Sequence, residues 1–185
     1  MKNFVFGALC ALAVTVTAET TFADSTAPTH QVVNATSRGI AMDGFDPVAY
    51  FIDGQPAKGS MDHRTEFRDR LWLFSSAENL EQFQANPEAY APQNNGWCAW
   101  AVAHGYAAEV DFVNGWFIEN DKLYVVWNED VKNRFLAKKD ELIPLAEANW
   151  TQVHSGLLDG STEFYPHAIK PELGLSHPQT LPEEG

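Results

Sequence analysis

Thr65-Glu66-Phe67-Arg68-Asp69-Arg70-Leu71-Trp72-Leu73-Phe74-Ser75-Ser76-Ala77-Glu78-Asn79-Leu80, residues 65–80, decides the fold class. Two short segments, Thr65–Phe67 and Leu71–Phe74, flank a charged bend at Arg68-Asp69-Arg70 and predict an antiparallel pair. Ser75 or Ser76 then caps a helix whose apolar stripe is Leu80 and Phe83. Asn79, not Glu, stands three positions after Ser76, so the full capping box is lacking. Asn86-Pro87 ends that helix and starts another turn, 87–90.

Downstream the same alternation of elements returns. Trp116–Glu119 and Lys122–Trp127 predict a second pair, joined by Asn120-Asp121, which tolerate left-handed turns. Trp97–His104 is a helix candidate with Asn95 as N-cap. Residues 130–149 carry Val131, Phe135, Leu142, Leu145 and Ala146 at helical spacing, with Pro144 expected to break or kink the helix. Upstream, a turn at Asp43-Gly44 leads to an expected strand from Val48 to Ile52 and a hairpin-type turn at Asp53-Gly54. Short antiparallel strands mixed with separate helices predict a small, single α+β domain over 39–150. A flexible lead-in occupies 24–38, and 151–185, rich in Pro and Gly, reads as an extended C-terminal tail.

Residues 1–23 read as a signal peptide. Lys2 precedes an apolar stretch from Phe4 to about Ala18, shorter than the ~20 residues a membrane helix needs. Cleavage sites of small-x-small type follow Ala18 and Ala23, and Ala23 is preferred because Asp24-Ser25 opens a polar segment. The expected product is bacterial and periplasmic, with no stable membrane insertion after cleavage. A formal charge of −13 and no basic patch exclude nucleic acid as a partner.

Removal of the leader takes Cys10 with it and leaves Cys98, in Asn94-Asn95-Gly96-Trp97-Cys98-Ala99-Trp100. An odd thiol in an oxidising compartment suggests a metal ligand, a reactive group or an intermolecular bridge. A small buried thiol that fills core space is the other reading. If Gly96 opens the helix, Cys98 lies in its first turn, where the dipole favours thiolate.

Gly44-Phe45-Asp46-Pro47-Val48-Ala49-Tyr50-Phe51, Phe74-Ser75-Ser76-Ala77-Glu78-Asn79-Leu80, Asn86 to Pro92, Gly96-Trp97-Cys98-Ala99-Trp100-Ala101-Val102 and Ala146 to Trp150 occur in that order. In these segments the chain resembles the exported YHS-domain family. The resemblance implies metal binding. Its intracellular members carry cysteines in DPVC and FCSxxC segments, and those three positions align here with Ala49, Ser75 and Asn79. Thiolates hold Cu(I) and Zn(II), which alanine, serine and asparagine replace poorly. A metal would therefore need Cys98 with other ligands.

His104 is the closest histidine along the chain. Six positions on a helix set it about 120° around from Cys98, on the face of Trp97 and Trp100, so the two share an ion only if the helix ends before it. His63 is a second nitrogen donor. Asp46, before Pro47, either organises a turn or serves as an oxygen ligand or orienting partner. Tyr50 is a pocket hydroxyl or an ordinary aromatic. Thus the first expectation is a non-catalytic metal-binding or metal-handling protein, for copper first and zinc second, using Cys98, His104, His63 and Asp46. The second is a module that binds a small organic ligand or a partner protein through an aromatic pocket built from Trp97, Trp100, Trp116, Trp127 and Trp150. Phosphate loops, dinucleotide fingerprints, CxxC pairs and nucleophile elbows are missing from the sequence.

Overall fold

The computed structural model describes residues 33–166. The leader at 1–23 and most of the lead-in lie outside the described residues. The end of that lead-in is not loose: Val33 and Asn34 are buried. Asn34 N donates to Asn95 O at 2.9 Å, and its Nδ2 donates to Gly96 O at 3.0 Å. Asn34 O in turn accepts from Met42 N at 3.0 Å, so one residue fastens two distant turns.

A 3₁₀ turn, Met42–Gly44, leads into α1, Ala49–Ile52. This corrects the strand expected over 48–52. Asp46 Oδ1 accepts from Val48 N at 2.8 Å and from Ala49 N at 3.4 Å, so Asp46 and Pro47 form a capping turn that leads directly into α1. The apolar run was compatible with either period, and the cap decided it. Gly54, at φ 63°, then turns the chain out of α1, where a hairpin was expected.

Strands β1, Ser60–Phe67, and β2, Arg70–Phe74, pair antiparallel with Thr65 opposite Trp72. Arg68 and Asp69 both take positive φ, the twist that a two-residue hairpin needs. Helix α2, Ala77–Ala85, is capped by Ser76, whose Oγ accepts from Asn79 N at 3.1 Å. Phe83 fixes α2 to the hairpin, stacking on Trp72 at 5.3 Å and touching Phe74 at 5.0 Å. Helix α3, Pro87–Tyr90, follows, then a 3₁₀ turn, Gln93–Gly96, and α4, Ala99–Ala103.

After β3, Ala107–Ala108, come β4, Trp116–Glu119, and β5, Lys122–Val125, paired antiparallel through Asn120-Asp121 as expected. Helix α5, Glu129–Ala137, is capped by Asn128 and packs Phe135 against Phe117 at 5.3 Å. Helix α6, Lys139–Asp159, includes Pro144 without ending there; the helical run breaks instead at Lys138.

Part of the segment expected to be tail is helix. Residues 151–159 continue α6, because Val153 and Gly156 extend its buried side. Gly160, at φ 78°, stops the helix. Thr162 N then donates to Gly156 O at 3.1 Å. A Cβ on Gly156 would sit 2.9 Å from that same Thr162 nitrogen, so only glycine admits the return. The chain thereby reaches β6, Phe164–Tyr165, which pairs in parallel with β3. Residues 167–185 lie outside the described residues. The described residues form a small α+β domain: three two-stranded sheets around one aromatic-rich core, with α4 lying against α6. No helix among the described residues is long and apolar enough to cross a membrane.

Candidate functional site

The four expected metal ligands are dispersed. Cys98 is fully buried and free of any disulfide. Gly96, at φ 81°, is not helical, and Cys98 is the N-cap of a five-residue helix, not a member of its first turn. Burial pushes its thiol up to about 11, opposed by backbone hydrogen bonds from Ala101, Trp127 and Trp100. A desolvated thiolate is costly, and three amide dipoles offset only part of that cost. Tyr106 is the titratable group that feels this thiol; its own hydroxyl is enclosed without a hydrogen-bond partner.

Asp46 is likewise fully buried, but it is saturated. Beyond the two amides of α1 on Oδ1, its Oδ2 accepts from Ser75 N at 2.8 Å, Ser75 Oγ at 2.7 Å and Asn79 Nδ2 at 2.7 Å. Five donors occupy a group with about four lone-pair positions, which leaves none for a cation. Ala49, Ser75 and Asn79, the positions that align with cysteines in the resemblance, therefore do converge in space. What they surround is this carboxylate, which ties α1, β2 and α2 together.

His104 keeps to the aromatic side. Its ring stacks on Trp100 at 4.8 Å and its Nδ1 lies 2.7 Å from Trp100 O. His63 projects from β1 near enough to Glu78 to help lower that carboxyl, behind the larger effects of a backbone hydrogen bond and of Ser76. Tyr50 is a core aromatic: its hydroxyl donates to Phe112 O at 2.7 Å, and burial raises it strongly. No group of three or more His, Cys, Asp or Glu gathers to hold a metal among the described residues.

The tryptophans divide differently. Trp72, Trp100 and Trp127 are core, whereas Trp97, Trp116 and Trp150 are only partly covered. Two of these three border pockets. Trp97 lines a shallow apolar cleft with Leu157, Thr162 and Phe164. Trp150 walls a polar pocket of about 270 Å³, together with Arg68, Glu88, Gln93, Asn94 and Glu147.

That polar pocket is assembled from turn chemistry. Asn94 and Asn95, both at φ 51°, precede Gly96 and form a left-handed turn. Asparagine is among the few side-chain-bearing residues that accept this conformation. Asn34 fastens the turn from behind. Arg68, at the tip of the β1–β2 hairpin, donates to Asn95 Oδ1 and to Glu88 Oε2, with its guanidinium over Phe67. On the α6 side, Glu147 accepts from Lys122 Nζ at 2.9 Å. The Asn-Asn-Gly triplet was the sequence signal for this wall, although its spacing suggested an N-cap.

No family model matches the chain, and no curated protein or solved structure is significantly similar to it. The resemblance to the YHS-domain family thus rests on the quoted motifs alone.

Proposed function

We propose that this chain is a non-catalytic binding module whose ligand, a small polar organic molecule, occupies the pocket between the β1–β2 hairpin, the 93–96 turn and α6. Export to the periplasm belongs to the same proposal and rests on the reading of residues 1–23. The observation that carries it is the left-handed Asn94-Asn95-Gly96 turn in the pocket wall. Non-glycine residues held there cost on the order of 1 kcal/mol each, and such conformations cluster where a ligand is clamped. Here the turn is held from both sides, by Asn34 and by Arg68, so the wall is formed before any ligand arrives. Preorganisation of this kind lowers the ordering cost of binding.

The arrangement suits binding more than chemistry. Arg68 and Glu88 are engaged with each other, and Glu147 with Lys122, so no free general base faces a nucleophile. Crystals of the full chain soaked with a cocktail of ring-sized polar fragments test the reading. Density beside Trp150 and Asn94 supports it. Density confined to the cleft at Trp97 and Phe164, or none, contradicts it.

A further inference from the structure

Resting on the binding reading above, we infer that the ligand is a neutral cyclic polyol the size of one monosaccharide ring. The pocket's charges cancel within the protein: Arg68 is paired with Glu88, and Glu147 with Lys122. His154, tilted against Trp150 at 5.2 Å outside the pocket lining, has its protonation disfavoured by burial. A cation or an anion entering this site therefore meets no uncompensated opposite charge, yet still loses its own hydration.

What remains on offer is hydrogen bonding of mixed sense. Arg68 keeps N–H groups beyond the two it has committed, the carboxylates accept, and the Gln93 and Asn94 amides do both. These planar groups can bind two adjacent oxygens at once, in the manner of a guanidinium fork on a carboxylate. A hydroxyl is the ligand group that donates and accepts together, and vicinal hydroxyls supply the paired spacing. Trp150 adds one indole wall, an apolar surface for the C–H face of a ring.

Size and lining agree. The volume of about 270 Å³ falls just under the ~300 Å³ at which drug-sized sites begin, which favours a single ring. The lining is more polar than that of most small-molecule sites, with Trp150 the single aromatic among the lining residues, which suits a ligand that is itself rich in hydroxyls.

Calorimetric titration of the full chain with a panel separates the possibilities: neutral hexoses, pentoses and cyclitols, against alkylamines, amino sugars and sugar acids of matched size. The expected result is saturable binding of neutral polyols that changes less than about twofold when salt is raised, because no ion pair forms. Trp150→Ala should weaken it about tenfold, and Trp150→Phe, which preserves a ring in the same place, by no more than a few-fold. Gln93→Ala, at a surface turn, gives a second variant that does not threaten folding and should also weaken binding. Tighter, salt-sensitive binding of amines or acids at the same pocket overturns the polyol inference and leaves the binding module standing. No saturable polyol binding up to tens of millimolar overturns it as well. If the soaked fragments also leave the pocket empty, both readings fall.

Discussion

The side-chain amide of Asn79 donates to Asp46 Oδ2 at 2.7 Å, across 33 positions of sequence and inside the core. Ser75 contributes a backbone N–H and a hydroxyl to the same oxygen. A buried carboxylate with no cation beside it is tolerable only when its lone pairs are filled. Asp46 is therefore the joint that fixes the start of α1 against β2 and α2.

Loss of that joint should be severe. Asp46→Ala would strand three backbone amides, a hydroxyl and a side-chain amide in the core, at about 1–3 kcal/mol for each donor left unsatisfied. The expected destabilisation is at least ~3 kcal/mol in urea unfolding, with Asn79→Ala costing less. A variant Asp46→Ala within ~1 kcal/mol of the parent would show that the network adds little.

The thiol makes a pH prediction. Cys98 has its folded value raised from 9.0 to about 11 by burial. A raised acid favours the protonated form in the folded state. Its contribution is complete below pH 9.0 and is lost as pH climbs through about 11. The loss is on the order of 3 kcal/mol, at about 1.36 kcal/mol for each pH unit between the two values. Stability measured across that window should fall less steeply in Cys98→Ala than in the parent. The folded protein should also resist alkylation near pH 8 until it is unfolded. Fast labelling of the native state would place sulfur in a different environment.

The same burial bears on metals. Titration with Cu(I), Cu(II) and Zn(II) should give no binding that depends on Cys98, so Cys98→Ser and the parent should respond alike. Stoichiometric binding in the parent that vanishes in Cys98→Ser would support the metal-handling expectation.

The left-handed turn can be tested through the backbone. Asn94→Gly should leave stability unchanged or raise it by a few tenths of a kcal/mol, since glycine adopts φ 51° freely. Asn94→Ala should cost ~1 kcal/mol, because alanine does not. Equal effects in chemical denaturation would mean that the turn relaxes at no cost.

How far the sequence could be read depended on where the deciding force lay. The β1–β2 and β4–β5 hairpins and the Ser76 cap were legible because local turn and cap chemistry specifies them. Val48–Ile52 misled because its apolar content fits a strand, while the signal for a helix was the preceding Asp46-Pro47. Residues 151–159 read as tail because the prolines and glycines of 151–185 dominate the composition, although Ala146, Trp150, Val153 and Leu157 continue the helical spacing on the core side of α6. Cys98 was visible as an odd thiol, but whether it faced solvent depended on packing against Trp127 and Tyr106, residues with no local tie to it. The polar pocket draws Arg68, Asn94 and Trp150 from three separate elements, and no sequence window contains them together.

Amide and indole shift changes in a labelled sample of the full chain, on addition of ring-sized polar compounds, test the central claim most directly. Ligand in the pocket should move residues 93–96, Arg68 and the Trp150 indole N–H, with Cys98 and Trp127 silent. Changes centred on Cys98, or on Trp97 and Phe164, with Trp150 unmoved, would contradict that claim.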